Sequence, residues 1–164
     1  MKVQTQKTKI EKLVIQKNMQ GRVIKLFVTL NDKDKTREAQ QKIFLDESGI
    51  QSDKFYGKNP MRSVLITSID SYAITQENEI DIEHGSLGEN ILIDINPYAL
   101  TPGSQIKIGN ALLEITQNCT LCKGLSTLNS KLPKLLKNDR GIFAKVINGS
   151  FEIAIDDKVE ILNY

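Results

Sequence analysis

The sequence contains no tryptophan, only two cysteines and only one histidine among its 164 residues. Two cysteines and one histidine leave a four-ligand structural zinc site short of ligands. The four tyrosines and five phenylalanines are scattered and do not alternate with basic residues, which argues against a stacking platform for single-stranded nucleic acid. No apolar run approaches the roughly 20 residues of a membrane-spanning helix. The composition therefore argues against a structural zinc site, a stacking platform for nucleic acid and a membrane-spanning helix.

The charges are nearly balanced, with 22 basic and 20 acidic side chains and a net charge of +2. This balance favours neither nucleic acid nor a membrane surface as a partner. The amino-terminal segment lacks the apolar core of a signal peptide, so we expect a cytoplasmic protein. In a reducing cytosol, a C-x-x-C pair is more often catalytic or metal-binding than a structural disulfide.

Most of the chain has the alternating pattern of short β-strands. The segment 21–30 predicts a strand, 31–40 a charged loop, 41–47 a second strand and 46–59 a loop rich in turn residues. A strand over 90–95 and a hairpin turning at Gly109-Asn110 follow, and the last residues predict further strands joined by turns at 148–149 and 156–157. Ser68 is a candidate N-cap of a short helix, and 127–141 predicts a helix interrupted by Pro133.

This organisation predicts a mainly-β barrel or sandwich over residues 21–164, preceded by a polar, mobile extension over 1–20. There is no internal repeat and no alternation of strands with helices. A thioredoxin-like reading of C-x-x-C is therefore disfavoured, because that site needs a strand that leads into a helix within an α/β frame.

Four polar clusters fall in predicted loops or at strand ends: 52–54 with Arg62, 84–90, 119–123 and 139–141. Arginine and lysine bind phosphate through charge-assisted hydrogen bonds, and a nearby cation lowers the pKa of a thiol. Together the clusters suggest an anionic, phosphorylated ligand beside a thiolate. Each cluster can also be explained by structure alone. The glycines could be turn residues and the histidine a surface residue. The arginines could cap a strand or a helix terminus, and the cysteines could be small buried residues.

The order of these motifs resembles the MOSC domain, the family named for the C-terminal domain of molybdenum-cofactor sulfurases. Asp-Lys and then Arg precede an apolar strand, followed by HGSLGENI, the LEITQ strand, C-x-x-C, RGIFAKV and a terminal DD-x-V. The resemblance runs from about residue 21 to 162. It departs from the family at 52–55, where Ser-Asp-Lys-Phe stands in place of the common Gly-Asp-Arg-His.

The resemblance implies a MOSC-type, pyruvate-kinase-like β-barrel with a few short helices, and it assigns roles to individual residues. Cys122 would be the metal ligand or sulfur carrier and Cys119 its neighbour, although the two roles could be exchanged. The implied contacts to the pterin or phosphate of molybdenum cofactor are Lys54, Arg62, Gly88, Glu89, Asn90, Lys123 and Arg140. Pyridoxal phosphate would enter only through a partner enzyme, because no segment resembles a Schiff-base lysine site.

The resemblance leaves three functions open. The first is an oxidoreductase that reduces N-hydroxylated small molecules on molybdenum held by Cys122, with electrons from a partner protein. The second is a sulfur carrier that takes a persulfide from a cysteine desulfurase and passes it to a metal-sulfur or pterin acceptor, with Cys119 as resolving thiol. The third is a non-catalytic module that binds or delivers the cofactor.

Overall fold

The computed structural model describes residues 19–30, 37–120 and 123–163, with the side chains of 123 and 163 excepted. Three short α-helices lie within these ranges: α1 (Ile69–Glu77), α2 (Lys123–Leu128) and α3 (Leu132–Leu135), and a 3-10 turn spans Pro60–Arg62. The strands are β1 (Gln20–Thr29), β2 (Arg37–Gln40), β3 (Lys42–Asp46), β4 (Gly49–Ile50), β5 (Val64–Ser68), β6 (Ile91–Ile93), β7 (Gln105–Ile108), β8 (Ala111–Asn118), β9 (Ile142–Val146), β10 (Phe151–Ala154) and β11 (Lys158–Asn163).

Seven strands form a closed barrel in the order β1-β11-β7-β8-β9-β5-β6, and β6 pairs with β1 again. The closing pair is antiparallel and joins Gln20 to Glu160 and Arg22 to Lys158. Strands β5 and β6 are parallel, and α1 lies in the crossover that connects them. Strand β2 extends the sheet beyond β1, while β10, β3 and β4 form a separate three-stranded sheet. The strand pattern predicted a mainly-β barrel or sandwich, and the barrel, which the family resemblance also implied, is confirmed.

Apolar side chains fill the interior of the barrel, because alternate residues on each strand point inward. On β8, for example, Ala111, Leu113 and Ile115 are buried while the residues between them are partly exposed. A second apolar cluster lies outside the barrel, where α1 and α3 cover the outer face of β6. It contains Tyr72, Ile80, Leu87, Leu92, Leu125, Leu132 and Leu136. The loop 84–90 is thus held between the barrel wall and this helical layer.

Several local predictions agree with the structure and several do not. Ser68 caps α1 as expected, with its Oγ accepting a hydrogen bond from the backbone N–H of Asp70 at 3.1 Å. The charged stretch 31–40 was wrongly predicted to be loop throughout, because Arg37–Gln40 pairs with β1 as a strand. The predicted loop 46–59 likewise contains the short strand β4. The single helix predicted over 127–141 is replaced by α2 and α3, and Pro133 lies in the first turn of α3, where its missing N–H costs nothing.

Candidate functional site

The loop 84–90 is a tight turn that lies between β6 and α1. The backbone N–H of Gly88 donates to the carbonyl of Gly85 at 3.0 Å, and both glycines have positive φ angles. At Gly88 φ is +92°, a conformation that costs a residue with a side chain about 1–3 kcal/mol. Glycine at position 88 therefore allows this backbone conformation and leaves the loop backbone there without a side chain over it.

The hydroxyl of Tyr72, on α1, forms hydrogen bonds to this loop. Its hydroxyl donates to Oε2 of Glu89 at 2.5 Å and accepts a hydrogen bond from the backbone N–H of Gly85 at 3.0 Å. Burial and then the Glu89 carboxylate raise the pKa of Tyr72 far above its ordinary value of 10, so the phenol keeps its proton and remains a donor. Glu89 is fully buried, and its Oε1 has no hydrogen-bond partner among the described residues.

Arg140 approaches the same loop from the segment before β9. The side chain is 5% exposed, and its Nε and Nη2 donate to the carbonyl of Leu87 at 3.2 and 3.0 Å. Its Nη1 is buried and has no partner within the described part of the chain. A buried cationic donor without a partner is costly, so such a group is a candidate ligand contact.

The backbone around Arg140 is held by side chains on β5 and α1. Thr67 Oγ1 donates to the Arg140 carbonyl at 2.9 Å, and Ser71 Oγ donates to the carbonyl of Asp139. Ser71 in turn lies 2.5 Å from the Tyr98 hydroxyl, and because Ser71 donates to Asp139, Tyr98 is the donor of that pair. This network holds the guanidinium of Arg140 against the loop.

Arg37 is a site residue that sequence reasoning missed. It begins β2, is half-buried, and its Nη1 donates to the carbonyl of Glu89 at 2.8 Å. Burial lowers the pKa of Arg37, and the positive charge of Arg140 lowers it further, whereas the carboxylates of Glu89 and Asp53 raise it. In the sequence it lies in a run with five other charged residues, two lysines and three acids, so nothing distinguishes it from a solvated surface residue.

Asn90 and Asp53 form the framework on which the loop rests. Asn90 Oδ1 accepts from the backbone N–H of Leu65 at 3.0 Å, and its Nδ2 donates to the Phe27 carbonyl and to Asp53 Oδ2. Asp53 also accepts hydrogen bonds from the backbone N–H groups of Thr29 and Phe55. Asn90 therefore ties β1 and β5 together, and its side chain is occupied by the protein itself.

Lys54 and Arg62, the other basic residues of the sequence prediction, lie over aromatic rings. Lys54 Nζ is 4.8 Å from the centre of the Phe55 ring, and Arg62 Cζ is 4.8 Å from the centre of the Phe143 ring. Phe143 pairs with Gln117 at the end of β8, so the exposed Arg62 lies beside the strand that leads to the cysteines.

The first cysteine lies next to Arg140. Cys119 is buried, and its backbone N–H donates to the carbonyl of Gly141 at 3.0 Å. Leu121, Cys122 and the side chain of Lys123 are outside the described residues, so the predicted roles of Cys122 and Lys123 remain predictions. Within the described ranges, no three His, Cys, Asp or Glu side chains converge as a metal site.

His84 precedes the loop and lines a pocket of about 320 Å³ with Tyr72 and Ile80. Its ring meets the edge of Tyr72 with 4.7 Å between ring centres, and its Nδ1 is buried without a partner among the described groups. Desolvation, and then the charge of Lys25, lower the pKa of His84 below its ordinary value of 6.5.

The lowered pKa of His84 predicts a pH dependence of stability. The unfolded chain binds a proton at this histidine more readily than the folded chain, so the stabilisation is present above pH 6.5 and is lost as the pH falls below 6.5 and through the lower pKa of the folded state. We expect urea unfolding to show a smaller loss of stability between pH 7.5 and 5.5 in His84→Gln than in the wild type. Equal losses would contradict the assignment.

None of the helices in the described ranges is long and apolar enough to pass through a lipid bilayer.

Comparison with known proteins gives a family and a fold. The MOSC domain profile matches residues 53–160. The chain is similar to the YuaD protein from Bacillus subtilis, with a TM-score of 0.76 and 21% identity over 89% of this chain and 97% of that one. It is also similar to YiiM from Escherichia coli, with a TM-score of 0.65 and 19% identity over 89% of this chain and 71% of that one. YiiM from Geobacillus stearothermophilus has a TM-score of 0.67 and 12% identity, over 87% and 75% of the two chains. A comparison with curated proteins finds no match.

Proposed function

The chain belongs to the MOSC domain family, and from that premise we propose that it binds molybdenum cofactor and reduces N-hydroxylated compounds. In this proposal the thiolate of Cys122 is the metal ligand, and a partner protein supplies the electrons. When bound, the cofactor would provide the two-electron chemistry that converts an N-hydroxyl group to an amine and water.

The hydrogen bond between Cys119 and Gly141 carries this proposal. It places the buried Cys119 beside Gly141, the residue after Arg140, and Arg140 is buried with one donor nitrogen that has no partner among the described residues. A soft thiolate next to a fixed cation is a favourable ligand for a transition metal, because the cation stabilises the deprotonated sulfur.

The residues present fit a cofactor that combines a metal with a phosphorylated pterin. Arg140 has a buried donor, Nη1, without a partner among the described residues, and Gly88 brings a backbone without a side chain next to the guanidinium groups of Arg37 and Arg140. Arg62 and Lys54 add positive charge. Buried Glu89 and Tyr72 orient the loop that would face the cofactor.

We expect near-stoichiometric molybdenum in the wild-type protein, and its loss in Cys122→Ser. The protein would be purified from a host that makes the cofactor, and its metal content measured by inductively coupled plasma mass spectrometry. The physical reason is that a serine hydroxyl is a hard, protonated ligand that replaces a soft thiolate poorly.

Cys119→Ser is the matched variant, because it removes the other sulfur of the pair. If Cys122 is the ligand, Cys119→Ser keeps its molybdenum, and the opposite result would exchange the two roles. Metal-free wild-type protein would contradict direct ligation, and an added sulfur atom in its intact mass would support the sulfur-carrier function instead.

A further inference from the structure

The segment 54–62 presents aromatic side chains and positive charge together at the surface. Its basic–aromatic surface consists of Lys54, Phe55, Tyr56, Lys58, Met61 and Arg62. The two aromatic side chains and the methionine are between 41% and 46% exposed, and the segment contains three cations and no acid. Aromatic residues, methionine and arginine are enriched in protein–protein interfaces. The composition therefore favours a contact surface for another protein.

Phe55 lies between two lysines of this surface. Lys54 Nζ is 4.8 Å and Lys58 Nζ 5.9 Å from the centre of its ring. These cation–π contacts hold both charges beside a ring that is still 46% exposed. Neither Lys58 nor Arg62 forms an ion pair with a carboxylate in the described ranges. Apolar area and positive charge are thus offered at the same place.

The backbone beneath the surface is held by the barrel at both ends. The N–H of Lys54 donates to the carbonyl of Thr29 at 2.8 Å. At the other end, Thr116 Oγ1, on β8, donates to the carbonyl of Met61 at 2.5 Å. A segment ordered in this way loses little conformational entropy when a partner binds to it.

Three carboxylates lie close to the surface without neutralising its cations. Asp53 is buried and accepts hydrogen bonds from backbone N–H groups. Asp46 accepts the hydroxyl of Tyr56 at 2.7 Å, and Glu47 lines a groove with Pro60. These acids border the surface, and none of the three is within ion-pair distance of its outer cations.

The surface adjoins the strand that leads to the cysteine pair. Arg62 Cζ lies 4.8 Å from the centre of the Phe143 ring, and Phe143 pairs with Gln117 on β8. Gln117 is two residues before Cys119. A protein bound to the basic–aromatic surface would therefore lie beside the C-x-x-C segment.

A second group of lysines follows the cysteines in the sequence. Lys131, Lys134 and Lys137 are exposed along one side of α3 and the turn after it. No aromatic residue occurs between positions 119 and 142, so these lysines have no aromatic side chain in their own segment. A lysine row without an aromatic anchor is typical of a solvated helix face.

We propose that the basic–aromatic surface is the docking site of an acidic electron-transfer protein. Carboxylates of the partner would face Lys58 and Arg62, and an apolar side chain would pack against the Phe55 ring. The nature of the partner rests on the proposed function, which requires electrons from another protein. Phe55, Tyr56, Lys58 and Met61 have no part in the proposed cofactor site, so they can be changed without touching it.

The test measures binding of the full chain to two acidic electron carriers, flavodoxin and a [2Fe–2S] ferredoxin, by isothermal titration calorimetry. The chain is made in a host that produces molybdenum cofactor. We expect saturable binding of at least one carrier at an ionic strength of about 0.1 M, and binding at least about tenfold weaker at about 0.5 M, because salt screens exposed charges. Absence of binding of both carriers would overturn the docking site.

Lys58→Glu and Phe55→Ser should each weaken carrier binding at least about tenfold. Phe44→Ser is the matched control, because Phe44 is also 46% exposed and lies 5.7 Å from Lys42 Nζ. Lys42 is paired with Glu152 at 3.5 Å, so its charge is balanced. We expect Phe44→Ser to bind like the wild type, and equal losses in the two serine variants would overturn the docking site.

Lys134→Glu tests the lysine row on α3 against the basic–aromatic surface. Lys134 and Lys58 are both exposed, so both charge reversals should leave the fold intact, which circular dichroism verifies. We expect Lys134→Glu to weaken carrier binding less than about threefold. A larger loss in Lys134→Glu than in Lys58→Glu would overturn the proposal and place docking on α3.

Anionic vesicles of phosphatidylglycerol distinguish a membrane from a protein partner. Vesicle binding that Lys58→Glu abolishes, without binding of either carrier, would overturn the proposal in favour of a lipid surface. Molybdenum in the wild type without carrier binding would overturn the docking site and leave the proposed function intact. Carrier binding by metal-free protein, weakened in Lys58→Glu and Phe55→Ser, would support the docking site and contradict the molybdenum ligation.

Discussion

Replacing Asp53 with alanine should lower the free energy of unfolding by about 4 kcal/mol. Its carboxylate accepts hydrogen bonds from the backbone N–H of Thr29 at 3.0 Å, from that of Phe55 at 2.9 Å and from Asn90 Nδ2 at 3.1 Å. The first and third of these donors are buried, and each costs roughly 1–3 kcal/mol when it is left without a partner. Arg37 would also lose part of the negative charge that balances it.

Urea unfolding followed by circular dichroism measures this loss. Asp81→Ala is the control, because Asp81 is exposed and should change the stability by less than about 0.5 kcal/mol. Asp53→Asn separates charge from shape, since the amide keeps the volume but turns an NH₂ group toward one of the three donors. A cost below about 1 kcal/mol for Asp53→Ala would show that water replaces the carboxylate and that it is not a structural anchor.

Replacing Tyr72 with phenylalanine should cost about 3 kcal/mol, although only one oxygen atom is removed. The hydroxyl donates to the fully buried Glu89 carboxylate and accepts from the N–H of Gly85. Without it, a buried charge loses a donor, and hydrogen bonds to charged groups contribute about 1.5–3 kcal/mol.

Tyr56→Phe provides the comparison for this substitution. The Tyr56 hydroxyl also donates to a carboxylate, that of Asp46 at 2.7 Å, but this pair is exposed to solvent. Its loss should cost less than 1 kcal/mol, because water replaces the contact. A double-mutant cycle of Tyr72→Phe with Glu89→Gln should give a coupling energy of at least about 1 kcal/mol, and additive effects would contradict the proposed coupling.

The fold follows from local patterns to a large extent. The alternation in 105–108 and 111–118, with a turn at Gly109-Asn110, predicts the hairpin of β7 and β8, and the turns near 148 and 156 predict the strands around them. Strand β2 could not be predicted from the sequence. Its Arg37–Gln40 segment is exposed, as is usual for an edge strand, and it has no alternation of apolar residues. The closure of the barrel by β1 and β11 depends on contacts distant in sequence, which no local pattern specifies.

The site was predictable only where a motif marks it. The glycines of 84–90 and the arginine at 140 stand out in the sequence, and both contribute to one loop surface in the structure. Arg37 and Tyr72 carry no such signal, because their roles arise from the way that β2 and α1 approach the loop. Asn90 belongs to the motif, yet its amide is used to join strands.

The pairing of β1 with β11 also determines when the protein can finish folding during its synthesis. Strand β1 leaves the ribosome long before β11, and until β11 arrives β1 and β7 each lack one of their hydrogen-bonding neighbours. Contacts so distant in sequence form slowly, and unpaired strand edges are prone to aggregation while they wait. A chain truncated before β11 would therefore leave one edge of β1 and one edge of β7 unpaired, and it would be prone to aggregate.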